Sequence, residues 1–226
     1  MAQHPSASNP QRRFVALIVA AGLVGAVFMS LAMTNTLSAF VASITNSNDT
    51  AAAGALVLQE TGAAGTGAAC NSTDATGGVT SNAFTTCTTF NKYGGSTSMV
   101  PSNAAGTSNT VTTTVNFRNT GSAAATAFTM AFAGCTQTTN GTPNGNATDF
   151  CSKLHVKVTS GATVVQADAT AAALANTTVN LPAALVPAAN SGSVVPFTFT
   201  TYLDNSAGNS YQGLQASQNI TWTLTS

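Results

Sequence analysis

After about residue 50, apolar and polar residues alternate in short runs. Residues 110–119 (TVTTTVNFRN) give the clearest case, with Val111, Val115 and Phe117 on one side of an extended chain among threonines. A period of two is the signature of a half-buried strand. It recurs over residues 55–60 (ALVLQE), 124–133 (AATAFTMAFA), 154–159 (LHVKVT), 162–166, 194–203 (VVPFTFTTYL) and 215–225 (QASQNITWTLT). In residues 154–159 the polar positions are His155 and Lys157, which puts one face in water. Asn119-Thr120-Gly121 reads as the turn that returns residues 110–119 as 124–133, and Gly161 as the turn into 162–166. Residues 194–203 and 215–225 read as the last pair, joined by the loop 204–213 (DNSAGNSYQG). The Ala-rich stretch 167–176 fits one or two helical turns. About seven short strands without a long amphipathic helix predict an all-β fold, an Ig-like two-sheet sandwich with Greek-key-like connections.

The first forty residues break this pattern. Arg12 and Arg13 precede residues 14–33 (FVALIVAAGLVGAVFMSLAM), twenty positions without a charge. Cations before an apolar run hold that end in the cytoplasm and send the rest of the chain across the membrane. The run is long enough to stay as an anchor. It is also Ala- and Gly-rich and is followed by small residues, with alanine at the cleavage position in both Ser30-Leu31-Ala32 and Leu37-Ser38-Ala39. The expected contact with the membrane is through residues 14–33 of the precursor alone.

Charge narrows the functions available. Only 5% of the 226 residues are charged, against roughly a quarter in ordinary soluble domains. From Phe40 onward the cations are Lys92, Arg118, Lys153 and Lys157, fewer than the acids, so this part is slightly negative. Such a chain cannot assemble the basic surface that nucleic-acid binding needs.

Cys70, Cys87, Cys135 and Cys151 all follow residue 40. An even number in an exported chain points to two disulfides, for which three connectivities exist. Sequential pairing, Cys70–Cys87 and Cys135–Cys151, would clip two Gly-, Asn-, Ser- and Thr-rich loops of similar length, each closure worth about 3 kcal/mol in the chain-entropy model. Zinc binding fits poorly: the spacings are not Cys-x-x-Cys, and His155 is the sole histidine after residue 40.

Acid–base chemistry has little to work with. No His-Glu-x-x-His and no Gly-x-Ser-x-Gly occurs, and Glu60 is the one glutamate. His155 reads as a solvent-facing strand residue. Asp149, Asp168 and Asp204 read as turn or cap residues in or beside loops, and one carboxylate beside the 209–213 loop is too few for calcium. No catalytic residue, metal site or cofactor is expected.

Four stretches resemble the TasA/camelysin family of secreted bacterial proteins. Residues 39–44 (AFVASI) followed by 53–58 (AGALVL) are similar to that family's mature start and its Gly-x-Leu-x-Leu first strand. Residues 115–122 (VNFRNTGS) match its strand ending in Asn-x-Gly-Ser, Asn209, Tyr211, Gln212 and Gly213 its Asn-x-Tyr-Gln-Gly loop, and residues 220–223 (ITWT) its closing aromatic strand. This chain departs in having less Lys and Asp than the family's known members, and in its four cysteines. The resemblance implies a jelly-roll-like sandwich, cleavage between Ala39 and Phe40 by a specialised signal peptidase, and assembly into extracellular fibres. The chain then divides into a signal peptide (1–39), a strand and linker (40–53) and a sandwich (54–226).

Cleavage there would free the strand Phe40, Val41, Ala42, Ser43, Ile44 and Thr45, with Phe40, Ala42 and Ile44 on one face. An unpaired apolar strand is a template for a neighbour's sheet edge. The expected product is a homopolymer built head to tail by strand donation. Three alternatives remain: residues 40–45 as the first strand of their own sandwich, a camelysin-like metalloprotease, and a type IV-like pilin that retains residues 14–33 as a helix. The pilin lacks its usual Gly before Phe14 and Glu at the fifth position after processing.

Overall fold

The computed structural model describes residues 50–63, 68–74, 87–142 and 145–226. The apolar segment 14–33, the cleavage site Ala39/Phe40 and the strand 40–45 lie outside the described residues. A compact unit spans Ala53–Ser226.

Among the described residues nine strands form two antiparallel sheets. They are β1 (Leu58–Gly62), β2 (Cys70–Asn71), β3 (Val111–Asn119), β4 (Ala127–Thr139), β5 (Leu154–Ser160), β6 (Thr163–Thr170), β7 (Thr178–Asn180), β8 (Val195–Leu203) and β9 (Leu214–Thr225). One sheet has the order β2-β1-β3-β8-β5-β6, the other β7-β4-β9. Alternation along the strands sends Val115 and Phe117 (β3), Phe128, Met130 and Phe132 (β4), Val156 and Val158 (β5), and Phe197 and Phe199 (β8) into the core, each at most 2% exposed. A fully buried side chain of this size contributes about 1.5–3 kcal/mol, so this aromatic-rich layer holds the sheets together. The all-β sandwich is as the alternation predicts.

Two expected pairings are wrong. β3 does not return into β4; the chain crosses to the other sheet after Asn119, and β3 pairs instead with β1 and β8. Nor do β8 and β9 pair, since β9 lies on β4 in the second sheet. Periodicity fixes which side chains face inward but not which sheet a strand joins.

The crossing is built around Asn119, which is fully buried. Its Oδ1 accepts from the Gly121 N–H at 2.9 Å and its Nδ2 donates to the Ala123 carbonyl at 2.8 Å. Here the chain runs against the segment leading into β1: Thr120 N–H donates to Val57 O and Ala123 N–H to Ala55 O, at 2.9 and 3.0 Å. A Cβ on Gly121 would stand 2.0 Å from the Ala55 carbonyl oxygen, so this approach admits only glycine.

β6 runs on to Thr170, which places Asp168 in a strand rather than a loop. A single helical turn, Ala171–Leu174, follows, capped by Thr170 Oγ1 accepting from Ala173 N–H. Ala171 and Leu174 are buried by it, at 0% and 3% exposure. Both disulfides pair sequentially. Cys70–Cys87 ties β2 to the start of the segment 87–101, and Cys135–Cys151 ties β4 to the 3-10 turn Phe150–Ser152, each with a Cα–Cα distance of 6.1 Å.

Candidate functional site

β9 lines an opening in the sandwich. Along its twelve residues exposure alternates, with Gln215, Ser217, Asn219, Thr221, Thr223 and Thr225 outward and Ala216, Ile220, Trp222 and Leu224 inward. Those inward side chains pack on the core yet are only half-buried. Among the described residues β9 pairs with β4 on one side and with nothing on the other, so every second backbone N–H and C=O of its free edge lacks a ladder partner.

Beside that edge lies a groove of about 1020 Å³ between β9 and the β1 side of the larger sheet. This is at or above the upper end of the roughly 300–1,000 Å³ usual for small-ligand pockets. Leu56, Leu58 and Phe117 form its apolar wall opposite Ile220, Trp222 and Leu224. The Trp222 ring stands 4.3 Å from Phe117 and 4.8 Å from Phe197 between centroids. Its indole N–H is buried without a hydrogen-bond partner, which leaves one donor in the groove wall unused.

The segment 87–101 crosses this opening as a strap. Its Lys92 Nζ lies 2.6 Å from Glu60 Oε1 on β1, with both side chains about nine-tenths covered. Burial pushes the Glu60 carboxyl up from its ordinary value, partly offset by the Lys92 charge. Next along, Tyr93 spans both sheets. Its backbone carbonyl accepts from Thr201 Oγ1 on β8 at 3.4 Å, and its phenol donates to Gln218 Oε1 on β9 at 2.5 Å. The amide of Gln218 also donates, to Ala133 O at 2.7 Å and Ala171 O at 3.1 Å. It faces the break in register between Phe132 and Cys135 of β4. Burial raises the Tyr93 pKa, which keeps the phenol a neutral donor.

The loop residues singled out in the sequence lie at the lower end of the same groove. Asn209 and Tyr211 belong to a 3-10 turn, Gln212 Nε2 donates to Asn209 Oδ1 at 3.3 Å, and Gly213 takes a φ of 67°. Tyr211 donates to Asp149 Oδ1 at 2.7 Å, a bond that raises the phenol's pKa, and its ring lies 6.4 Å from Phe150. The loop thus braces the segment leading into β5.

A second polar cluster sits on the outer face of the larger sheet. His155 stacks on Tyr202 at 4.7 Å, with Nδ1 at 3.1 Å from Asp168 Oδ2 and Nε2 at 3.5 Å from Asp204 Oδ2. Tyr202 donates to Asp168 Oδ2 at 2.6 Å; its pKa is raised by burial first and by Asp168 next. Asp204 is held low by the hydroxyl and N–H of Ser206. His155 lies on the outer face of β5, between inward Leu154 and Val156, and there Tyr202 and the two carboxylates cover it to 19% side-chain exposure. This cluster ties β5, β6 and the loop after β8 together. Among the described residues no group of three or more His, Cys, Asp or Glu is placed to hold a metal ion.

No protein-family model matches the chain, and no curated protein matches it either.

The groove leaves little trace in the sequence. Residues 91–93 (NKY) put a cation and an aromatic together in a Thr-, Ser- and Gly-rich stretch. That is the one local signal that the strap does more than connect.

Proposed function

We propose that this protein is a structural subunit of an extracellular bacterial filament, assembled head to tail when the N-terminal strand of one copy enters the groove beside β9 of the next. The observation that carries the reading is the edge of β9 that has no strand partner among the described residues, with inward Ile220, Trp222 and Leu224 left half-buried beside a long apolar groove. An unpaired edge of this kind takes an added strand through main-chain hydrogen bonds, while pockets for alternate side chains give specificity. Phe40, Ala42 and Ile44 are the alternate apolar side chains the chain offers.

In this reading the sandwich is jelly-roll-like, a signal peptidase cleaves between Ala39 and Phe40, and the partner is a second copy of the chain. Extended, residues 40–53 reach on the order of 45 Å at about 3.3 Å per residue, enough to cross into a neighbouring sandwich. A heterologous contact of this sort does not close and propagates as a filament. The scarcity of charge lets copies stack without repulsion, and the two disulfides suit an oxidising exterior.

Deleting residues 40–46 from the secreted protein and imaging it by electron microscopy tests the reading. Filaments should vanish while the monomer stays folded; filaments as abundant as wild type would overturn it.

A further inference from the structure

We propose that the Cys70–Cys87 disulfide is a redox clip that completes the groove beside β9, so that a subunit accepts a neighbour's strand only after oxidation outside the cytoplasm. This inference rests on the strand-donation reading and adds to it a condition on when the acceptor site exists.

The wall of the groove facing β9 is built in two parts. Leu58 and Glu60 come from β1, whereas Phe90, Lys92, Tyr93 and Met99 come from the strap, and Cys70 and Cys87 line the same opening. Residues 87–100 form neither helix nor strand, so their position depends on tethers rather than on a backbone ladder. At its far end the strap is fixed to β8, where Pro101 bridges to Leu203 and Ser102 N–H donates to Leu203 O at 2.8 Å. Among the described residues its near end is tied by Cys87, bonded to Cys70.

Cys70 stands directly opposite Glu60 in the β1–β2 ladder, and Glu60 holds Lys92. Disulfide and ion pair therefore land at one place on the sheet. A buried ion pair forms only when its geometry offsets the loss of water from both charges. The disulfide supplies that geometry by starting the strap beside the carboxylate. Without it, Lys92 returns to Glu60 only by closing the whole chain length between Cys70 and the strap, which entropy opposes. Release of the strap takes Phe90 and Met99 out of the wall, and an incoming strand then meets β9 with nothing opposite to cover Phe40 and Ile44. Cys135–Cys151 has no such part. The loop it closes is held as well by Gln137, whose side chain donates to Ala147 O at 2.6 Å and accepts from Phe150 N–H at 2.7 Å.

Closing the clip removes two protons and two electrons from the two thiols. A thiol–disulfide exchange partner takes them up, its own disulfide leaving as a dithiol. Such oxidants act outside the reducing cytoplasm, so copies stay unable to polymerise until they are exported.

Binding of a labelled peptide of residues 40–49 (FVASITNSND) to the secreted subunit lacking residues 40–46, followed by fluorescence anisotropy, tests the clip. Cys70→Ser with Cys87→Ser should weaken binding by about 10- to 100-fold, the larger figure being the whole closure gain of a loop of this size. Cys135→Ser with Cys151→Ser should leave binding unchanged. Amide hydrogen exchange in the first variant should quicken over residues 87–101 while β3 and β8 stay protected. Equal binding by the first variant and the unsubstituted subunit would overturn the clip and leave strand donation standing. Loss of protection throughout β3 and β8 would overturn it too, because the disulfide would then serve the fold rather than the groove. No binding by the unsubstituted, oxidised subunit would remove strand donation, and the clip with it.

Discussion

The two long sides of the sandwich are finished differently. On the side of β4, β5 and β6, the helical turn Ala171–Leu174 plugs the gap between sheets with Ala171 and Leu174, and Leu181 seals the end of β7 at 8% exposure. On the side of β1 and β9 no element fills the corresponding gap among the described residues; a strap held by a disulfide, an ion pair and the hydrogen bonds of Tyr93 to Thr201 and Gln218 crosses it instead. The same kind of inward apolar side chain is fully buried on one side and half-covered on the other. Closure therefore comes from what is placed between the sheets rather than from the sheets themselves, and the open side is the one with capacity for a further strand.

The largest effect should come from the sealed interior. Phe197→Ala removes a side chain with no exposure that meets Phe117, Phe128 and Trp222, and should cost about 3–5 kcal/mol in chemical denaturation. Trp222→Ala on the open side should cost the subunit less, about 1–2 kcal/mol for a half-covered ring. If the groove is filled in the filament, the same change should lower filament melting by more than it lowers that of the subunit; equal losses in both states would erase the distinction between the two sides. The smallest effect concerns pH. Because burial raises the Glu60 pKa above its ordinary 4.5, the folded chain binds that proton more tightly than the unfolded one. Stability from this group is therefore complete below 4.5 and declines as pH rises through the raised value. Glu60→Gln should flatten that decline in denaturant midpoints measured between pH 4 and 7, and an unaltered slope would remove Glu60 as its source.

Much of this architecture is legible in the chain, and the illegible parts share a cause. The faces of β3, β5, β8 and β9 follow from alternation within single stretches, and the disulfides from the similar length of two glycine-rich loops. The partners of those strands do not follow. The Asn119-Thr120-Gly121 turn looks like a hairpin, but Asn119 is buried and its amide directs the chain toward Ala123 and the other sheet. β2 and β7, two and three residues long, carry no periodicity at all and exist through their neighbours: Gln59 Nε2 donates to Asn71 Oδ1, and the Leu181 N–H to Phe128 O just beyond β7. The groove is less legible still. Ile220, Trp222 and Leu224 announce an inward face, but a missing neighbour is a property of the whole sheet order, and Glu60, Lys92, Tyr93 and Gln218 meet only after folding.

The placement of Cys70–Cys87 also bears on how the molecule answers a mechanical pull. Tension applied at Ala53 loads first the hydrogen bonds of Ala55 and Val57 to the 120–123 segment, then the β1–β3 ladder. Were β1 to peel away, the chain would pay out only as far as Cys70. There the bridge passes the load straight to Cys87, bypassing a separation of 17 residues that would otherwise release slack on the order of 50 Å at about 3.3 Å per residue. The next resistance is the ring of Tyr93, locked to Gln218. A small covalent loop near the start of the fold thus acts as a tether that limits stretch and hands force to the strap.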